Sequence, residues 1–349
     1  MRIAQIAPLF EAVPPKLYGG TERVVYSLTE ALVELGHDVT LFASGDSITS
    51  AKLDAPWPRA LRLDPDIRDW VATYAMLVEY VRQRADQFDI LHFHIDYWPN
   101  SVFTRQKVPF LTTLHGRLDL PEFAAVYRMF PKVPLISISN NQRTPLPDVG
   151  WAATVYHGMP QNLLTPQPVA GERNYFAFLG RISPEKGIER AIQIADRAGV
   201  KLKVAAKVDK ADAEYFKTAV EPLLHDDNVE FIGEINDAQK PAFLSGAKAL
   251  LFPIDWPEPF GLVMIEAMAC GCPVIAMRRG SVPEVMDDGV SGFIVNNVDE
   301  AVAACGRLGE LDRARVRAQF DKRFTSRRMA EDYVKVYERL IAERKAGLS

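Results

Sequence analysis

Cysteine is scarce, with Cys270, Cys272 and Cys305 the only three in 349 residues. An odd number without Cys-x-x-Cys spacing excludes a disulfide framework and a zinc knuckle, and leaves small buried thiols in a reducing compartment as the expected reading. Long apolar runs are missing too. A membrane-spanning helix needs about 18 or more uncharged apolar residues. The longest candidate, residues 260–277, carries Glu266 and is cut by Gly271 and Pro273. Residues 1–8 hold a short apolar run broken by Gln5 and Pro8, which reads as a first strand rather than the core of a signal peptide. Neither sign of charge dominates: 41 Lys+Arg face 45 Asp+Glu, and a net charge of −4 lacks the footprint of a nucleic-acid binder. An apolar fraction of 48% without compositional runs excludes disorder. The expectation is a cytoplasmic chain with no transmembrane segment and no nucleic-acid partner, and at most a peripheral contact with the inner face of a membrane.

What is present is one pattern, written twice. At roughly 150 residues per domain the length allows a little over two domains. Residues 3–7 read as a strand. Val24, Val25, Leu28, Ala31, Leu32 and Leu35 then recur at helical spacing up to Gly36, and residues 37–43 return as a strand. That is a strand-helix-strand unit, hence a parallel sheet. Apolar runs at 89–94, 109–114, 134–139 and 153–156 continue it, with a helical stretch around 70–84. The second half restarts with strands at 175–179, 201–206, 229–232, 249–253 and 273–276. Helices are expected at 187–197, near 211–224 and 238–245, and at 262–269, and a charged amphipathic helix at 326–345 closes the chain. Pro166 and Pro168 interrupt residues 164–171, the best linker. The expected fold is α/β: two Rossmann-like doubly wound domains, residues 1–166 and 167–325, facing a central cleft. Ligands of open α/β sheets bind beyond the carboxyl ends of the strands.

Four segments after expected strands carry the chemistry. In PPKLYGGTER, Gly19 and Gly20 open a helix, where free N–H groups favour an anion; the alternative is a plain tight turn. The stretch is not a GxGxxG fingerprint, so a dinucleotide fold is unsupported. In GRISPEKG, Arg181 and Lys186 set two cations beside a helix N-terminus, where the dipole disfavours them unless an anion such as a diphosphate compensates. The alternative is two solvated surface charges. In PEPFGLVMIE, Glu258 is fixed between prolines, Gly261 exposes backbone amides, and Glu266 lies in the following helix, where it reads either as a hydroxyl-binding carboxylate or as a core group with a local partner. In TTLHGR, His115 ends a strand.

Together these segments resemble the retaining family 4 glycosyltransferases of the glycosyltransferase-B fold. The Glu-x7-Glu of EPFGLVMIEAMACGCPVIA and the following GSVPEVMDDGVSGFIV carry the likeness most strongly. YGGTERVV, DILHFHID, TTLHG, LGRISPEKG and FIGEI fall in the family's order over nearly the whole chain. The opening APLFEAVPPKLYGGTERVV resembles a bacterial subgroup of the avilamycin-pathway type.

The resemblance implies a hexosyltransferase that moves a hexose from a nucleotide-diphosphate sugar to a hydroxyl on a small-molecule, glycan or lipid-linked acceptor. The donor it implies first is UDP-glucose-like, with GDP-mannose next. It implies no cofactor and no required metal. Arg181 and Lys186 would bind the diphosphate and stabilise it as it leaves. Glu266 would hold the ribose, and Glu258 the donor-sugar hydroxyls beside the amides of Phe260, Gly261 and Leu262. Gly19 and Gly20 would approach the phosphates, His115 would touch the donor sugar, and the base would stack near Ile235. The last helix, residues 326–349, would pack back onto the first domain. Lys207 departs from the family's Gly-rich turn and adds a positive charge near the donor.

His92, His94 and Asp96 alternate along one strand, the spacing of a metal triad, so a metal-dependent hydrolase is a rival reading. The alternative roles are a strand-end hydrogen-bond network for His92, with His94 and Asp96 lining the acceptor side. A nucleotide-sugar epimerase of the same fold, a phosphorylase and a non-catalytic nucleotide-sugar sensor complete the competitors.

Overall fold

In a computed structural model, which describes residues 1–16, 19–225 and 228–347, the alternation closes into two separate sheets. One compact unit comprises Met1–Pro160 with Thr325–Ser349, and the other Gln161–Phe324.

The first unit holds β1 (Arg2–Ile6), β2 (Asp38–Ser44), β3 (Lys52–Trp57), β4 (Ile90–Phe93), β5 (Phe110–Thr113), β6 (Leu135–Ser137) and β7 (Trp151–Thr154). Their order is β3-β2-β1-β4-β5-β6-β7, with every pairing parallel. Parallel strands need crossovers, and the crossover helices cover both faces, so all four residues of β4 are buried. The helix Gly20–Glu34 buries Val24, Val25, Leu28, Ala31 and Leu32, one stripe at helical spacing. The last helix, Ser326–Lys345, buries Met329, Ala330, Tyr333, Val336, Tyr337 and Leu340 within this same unit. Its N-terminus is capped by Thr325, whose side chain accepts from the Arg328 amide.

The second unit holds β8 (Tyr175–Arg181), β9 (Lys201–Lys207), β10 (Val229–Gly233), β11 (Leu250–Phe252), β12 (Val274–Met277) and β13 (Gly292–Val295). They are again all parallel, in the order β10-β9-β8-β11-β12-β13. Both sheets reverse their winding beside their first strand, at β1/β4 and at β8/β11. Such a switch point opens a crevice at the carboxyl ends of the two strands.

The structure departs from the sequence expectation at three places. The units divide at Pro160/Gln161, not at Pro166, because Leu164 is fully buried and its carbonyl accepts from Arg317 within the second unit. The region 211–224 is not one helix. Short 3₁₀, α and π turns succeed one another from Lys210 to His225, and Pro222 removes a donor that a continuous helix would need. Strands β3 and β13 were not anticipated. β3 is a half-exposed edge strand containing Pro56, and β13 opens on Gly292, where a Cβ would fall 1.8 Å from the Val274 carbonyl oxygen.

Candidate active site

Glycine stands at the N-cap of three described helices, Gly20–Glu34, Ile188–Arg197 and Leu262–Ala269, and no side chain caps any of them. Elsewhere Asp69, Asn297, Asp312 and Thr325 cap their helices with side-chain oxygens. The first-turn amides behind Gly19, Gly187 and Gly261 are therefore left to other partners. Leu17 and Tyr18, in the loop before Gly19, lie outside the described residues.

In the second unit, the ends of β8 and β11 bring Arg181, Lys186 and the loop 253–261 to one switch point. The Gly187 turn is left-handed (φ +73°), and a Cβ there would sit 2.2 Å from the Pro253 carbonyl oxygen, so the two loops touch only because the residue is glycine. Lys186 Nζ lies 2.5 Å from Glu258 Oε2, and the Trp256 indole N–H donates to the same oxygen at 2.9 Å. The ammonium also stands 4.9 Å from the Trp256 ring centre. The Ser281 amide donates to the Glu258 carbonyl at 3.0 Å.

Arg181 donates to Glu185 at 2.9 Å and faces Asp209 at 3.9 Å and Asp212 at 3.8 Å, while Lys207 pairs with Asp209 at 3.0 Å. Behind them Glu266, buried in its helix, accepts from the equally buried Lys240 at 2.6 Å, and Lys240 also meets Asp237 at 3.1 Å. Leu262 opens that helix, whereas the Phe260 ring is core, edge-on to Phe324. Ile235 sits half-buried after the edge strand β10. Cations with exchangeable carboxylate partners, beside open helix amides, can take up a multiply charged anion. The carboxylates can in turn accept from hydroxyls.

The first unit is built differently. His92 and His94 lie buried at the end of β4, their ring centres 4.0 Å apart. His92 Nδ1 meets the Tyr337 hydroxyl at 2.7 Å and Nε2 meets Thr113 Oγ1 at 2.7 Å. His94 Nδ1 meets His115 Nε2 at 2.8 Å and its Nε2 meets Gln5 Oε1 at 2.8 Å. This corrects two expectations. The metal-triad alternative finds every ring nitrogen of His92 and His94 already engaged, and Asp96 stands exposed past the strand end with φ +50°. Among the described residues no group of His, Cys, Asp and Glu is disposed to hold a metal. His94 belongs to the same buried network as His92 and does not line an open acceptor surface. His115 is half-buried and stacks on His157 at 5.3 Å. Burial pushes its pKa down to about 3 and holds His92, His94 and His157 well below the ordinary value, so the four rings are neutral at pH 7.

Sequence reasoning missed Lys240, Trp256, Ser281, Gln5, Tyr333 and Tyr337. Glu266 on an apolar helix demanded a cationic partner, but its position 26 residues upstream gave no local sign. Glu22 was missed as well. It lies buried behind the Gly19 turn, and burial raises its carboxyl to about 7.

Known proteins resemble the chain along most of its length. A family model described as "Glycosyltransferase Family 4" matches residues 18–142, and one described as "Glycosyl transferases group 1" matches residues 162–322. The phosphatidyl-myo-inositol mannosyltransferase of Mycolicibacterium smegmatis is 26% identical over 94% of this chain and 89% of its own. Among solved structures, AviGT4, a glycosyltransferase involved in avilamycin A biosynthesis, superposes with a TM-score of 0.76 at 24% identity, covering 98% of each chain. Anabaena HepE in complex with UDP and glucose gives 0.72 at 19% identity, over 97% of this chain and 99% of that one. The structural likenesses show the fold.

Proposed function

The chain belongs to the family 4 glycosyltransferases of the glycosyltransferase-B fold, and from that premise we propose that it transfers a hexose from a UDP-hexose to a hydroxyl acceptor with retention at the anomeric centre. The observation that carries the reading is the Lys186–Glu258 pair beside Arg181, set between the open amides behind Gly187 and Gly261. A diphosphate entering there offers Lys186 and Arg181 a more highly charged partner than one carboxylate. It also releases Glu258 to accept from sugar hydroxyls. Glu266, held by Lys240, is assigned to the ribose, and Gly19, Gly20, Lys207, Ile235, Phe260, Gly261 and Leu262 keep the donor-side roles that the family resemblance implies.

In the step itself the anomeric C–O bond breaks and its electron pair leaves on the diphosphate. The acceptor oxygen then bonds the anomeric carbon from the same face, and its proton passes to a phosphate oxygen. Positive charge develops on the sugar ring and negative charge on the diphosphate, so cations fixed at the leaving group are the main catalytic term. This reading needs no metal, since the lysine and arginine supply the charge.

The test is nucleotide release from UDP-, GDP- and ADP-hexoses with and without chelator, for wild type and Glu258→Ala. Chelator-insensitive release from UDP-hexose that is lost in Glu258→Ala is the expected result. Release from no donor would overturn the reading, and an inverted product would overturn retention alone. HepE was solved with UDP and glucose, which favours UDP over GDP; the mannosyltransferase relative keeps a mannosyl donor as the second choice.

A further inference from the structure

We propose that Gln5 and His94 set the tautomer of His115, so that its Nδ1 is a bare lone pair accepting from one hydroxyl of the donor hexose. The hydroxyl assignment rests on the transferase reading above; the tautomer assignment does not.

One chain of hydrogen bonds fixes where each proton sits. Gln5 turns its amide nitrogen toward Tyr337 Oη at 3.1 Å and His92 Nδ1 at 3.4 Å, which leaves its oxygen for His94. An amide oxygen only accepts, so His94 Nε2 carries a hydrogen. A neutral imidazole has one N–H, and His94 Nδ1 is therefore a lone pair. His94 Nδ1 then accepts from His115 Nε2–H at 2.8 Å, which leaves His115 Nδ1 without a hydrogen.

The other end of the chain obeys the same alternation. The Tyr337 hydroxyl donates to His92 Nδ1, His92 Nε2–H donates to Thr113 Oγ1, and Thr113 meets the Tyr333 hydroxyl at 2.9 Å. The rings are neutral at pH 7, which the one-hydrogen count requires. His115 Nδ1 is the atom at which the chain stops. It is buried and has no hydrogen-bond partner among the described residues, the condition of a group waiting for a ligand. Stacking on His157 at an interplanar angle of 17° and the 2.8 Å hydrogen bond to His94 orient the ring and with it that lone pair. Gln5 and His94 are thus positioning residues, acting through His115.

The first experiment reads the ring nitrogens directly. Two-bond ¹⁵N–¹H correlation of the full chain with ¹⁵N-labelled histidine, without ligand, reports which nitrogen of each ring is protonated. His115→Ala assigns the His115 signals. Wild type should show Nε2–H and bare Nδ1 at His115. Gln5→Leu should show both tautomers, whereas Gln5→Glu, whose carboxylate only accepts, should keep Nδ1 bare above about pH 7, where the rings are neutral. A hydrogen on Nδ1 in wild type or in Gln5→Glu overturns the relay, as does an unchanged tautomer in Gln5→Leu. If Gln5→Leu does not fold, the other two proteins decide.

The second experiment measures donor hydrolysis with monodeoxy UDP-hexoses. Wild type should lose about tenfold or more in kcat/KM with one of them, mostly through KM, because Nδ1 is left unpaired. Gln5→Leu should reduce that discrimination to about fivefold, since only half of its rings keep Nδ1 bare. Expected tautomers without binding of any nucleotide-sugar would overturn the transferase reading and the donor hydroxyl, and leave the relay standing. Donor turnover with a hydrogen on Nδ1 would overturn the relay alone.

Discussion

The two sheets share one winding order, yet they solve the polar end of the switch point in opposite ways. Beside β8 and β11 the groups are ionised and paired: Lys186 with Glu258, Lys240 with Glu266, Arg181 with Glu185. Beside β1 and β4 they are neutral: four histidines, two tyrosines, a threonine and a glutamine. Ionised groups bind charge, and they tolerate partial burial only because each has a counter-ion. Neutral imidazoles in a buried chain bind no charge, but they offer hydrogen-bond directions that a hydroxyl can read. One unit holds its polar side chains as ion pairs, and the other as a neutral hydrogen-bonded chain.

The comparison breaks most visibly where the ionic side loses half of a pair. Lys240→Met leaves Glu266 buried without its cation and should destabilise the second unit by about 3–5 kcal/mol, read by urea denaturation. Lys240→Met with Glu266→Leu should recover most of that loss, since two apolar groups need no counter-ion. Failure to recover would mean that the pair does more than neutralise itself. Lys186→Ala should fold normally and lower donor turnover by about 10²–10³-fold, or ~2.7–4 kcal/mol in barrier. A change in KM alone would remove Lys186 from the leaving-group step.

On the neutral side stability depends on pH. The folded-state pKa values of His92, His94 and His157 lie well below the unfolded value, so the unfolded chain binds more protons as pH falls. Their stabilisation is complete above about pH 6.5 and is lost below it, up to about 2 kcal/mol per ring between pH 6.5 and 5. Thermal unfolding of Gln5→Glu should lose less over that range, because a buried carboxylate favours a charged ring nearby. An identical pH profile would mean that the four rings titrate independently of Gln5.

How legible each region was follows from the same contrast. Loops made of local sequence could be read: Arg181 ends its strand, Lys186, Gly187 and Gly261 stand in the loops that directly follow theirs, and the helices Leu262–Ala269 and Ser326–Lys345 have the bounds expected of them. Long-range polar pairing could not. Tyr337 lies 245 residues from His92 and Lys240 lies 26 from Glu266, and nothing in either neighbourhood marks the partner. His92 and His94 were read as a possible metal site because spacing shows a shared face but not what already occupies it. Strand β3 was lost for a different reason: a half-exposed edge strand with a proline lacks the apolar alternation that identifies the others.

The smallest expected effect tests whether the acids around Arg181 hold it back from the donor. Asp209 accepts from Lys207 at 3.0 Å and stands 3.9 Å from Arg181, so a single carboxylate restrains two cations. On the proposed reading, a diphosphate competes with it for both. Asp209→Asn keeps the shape and removes the charge, which should strengthen donor binding. Partly exposed pairs of this kind are worth about 0–1 kcal/mol, so the donor KM should fall by up to about fivefold while kcat changes little. The gain should fade in about 1 M salt, where the screening length shrinks to about 3 Å. A fall in kcat instead would make Asp209 a group that aims Arg181 at the leaving diphosphate rather than one that competes with it. Lys207→Ala separates these cases further: if Lys207 itself meets the phosphates, KM rises, whereas if it serves only to occupy Asp209, the released acid turns wholly to Arg181 and KM rises only while Asp209 is present.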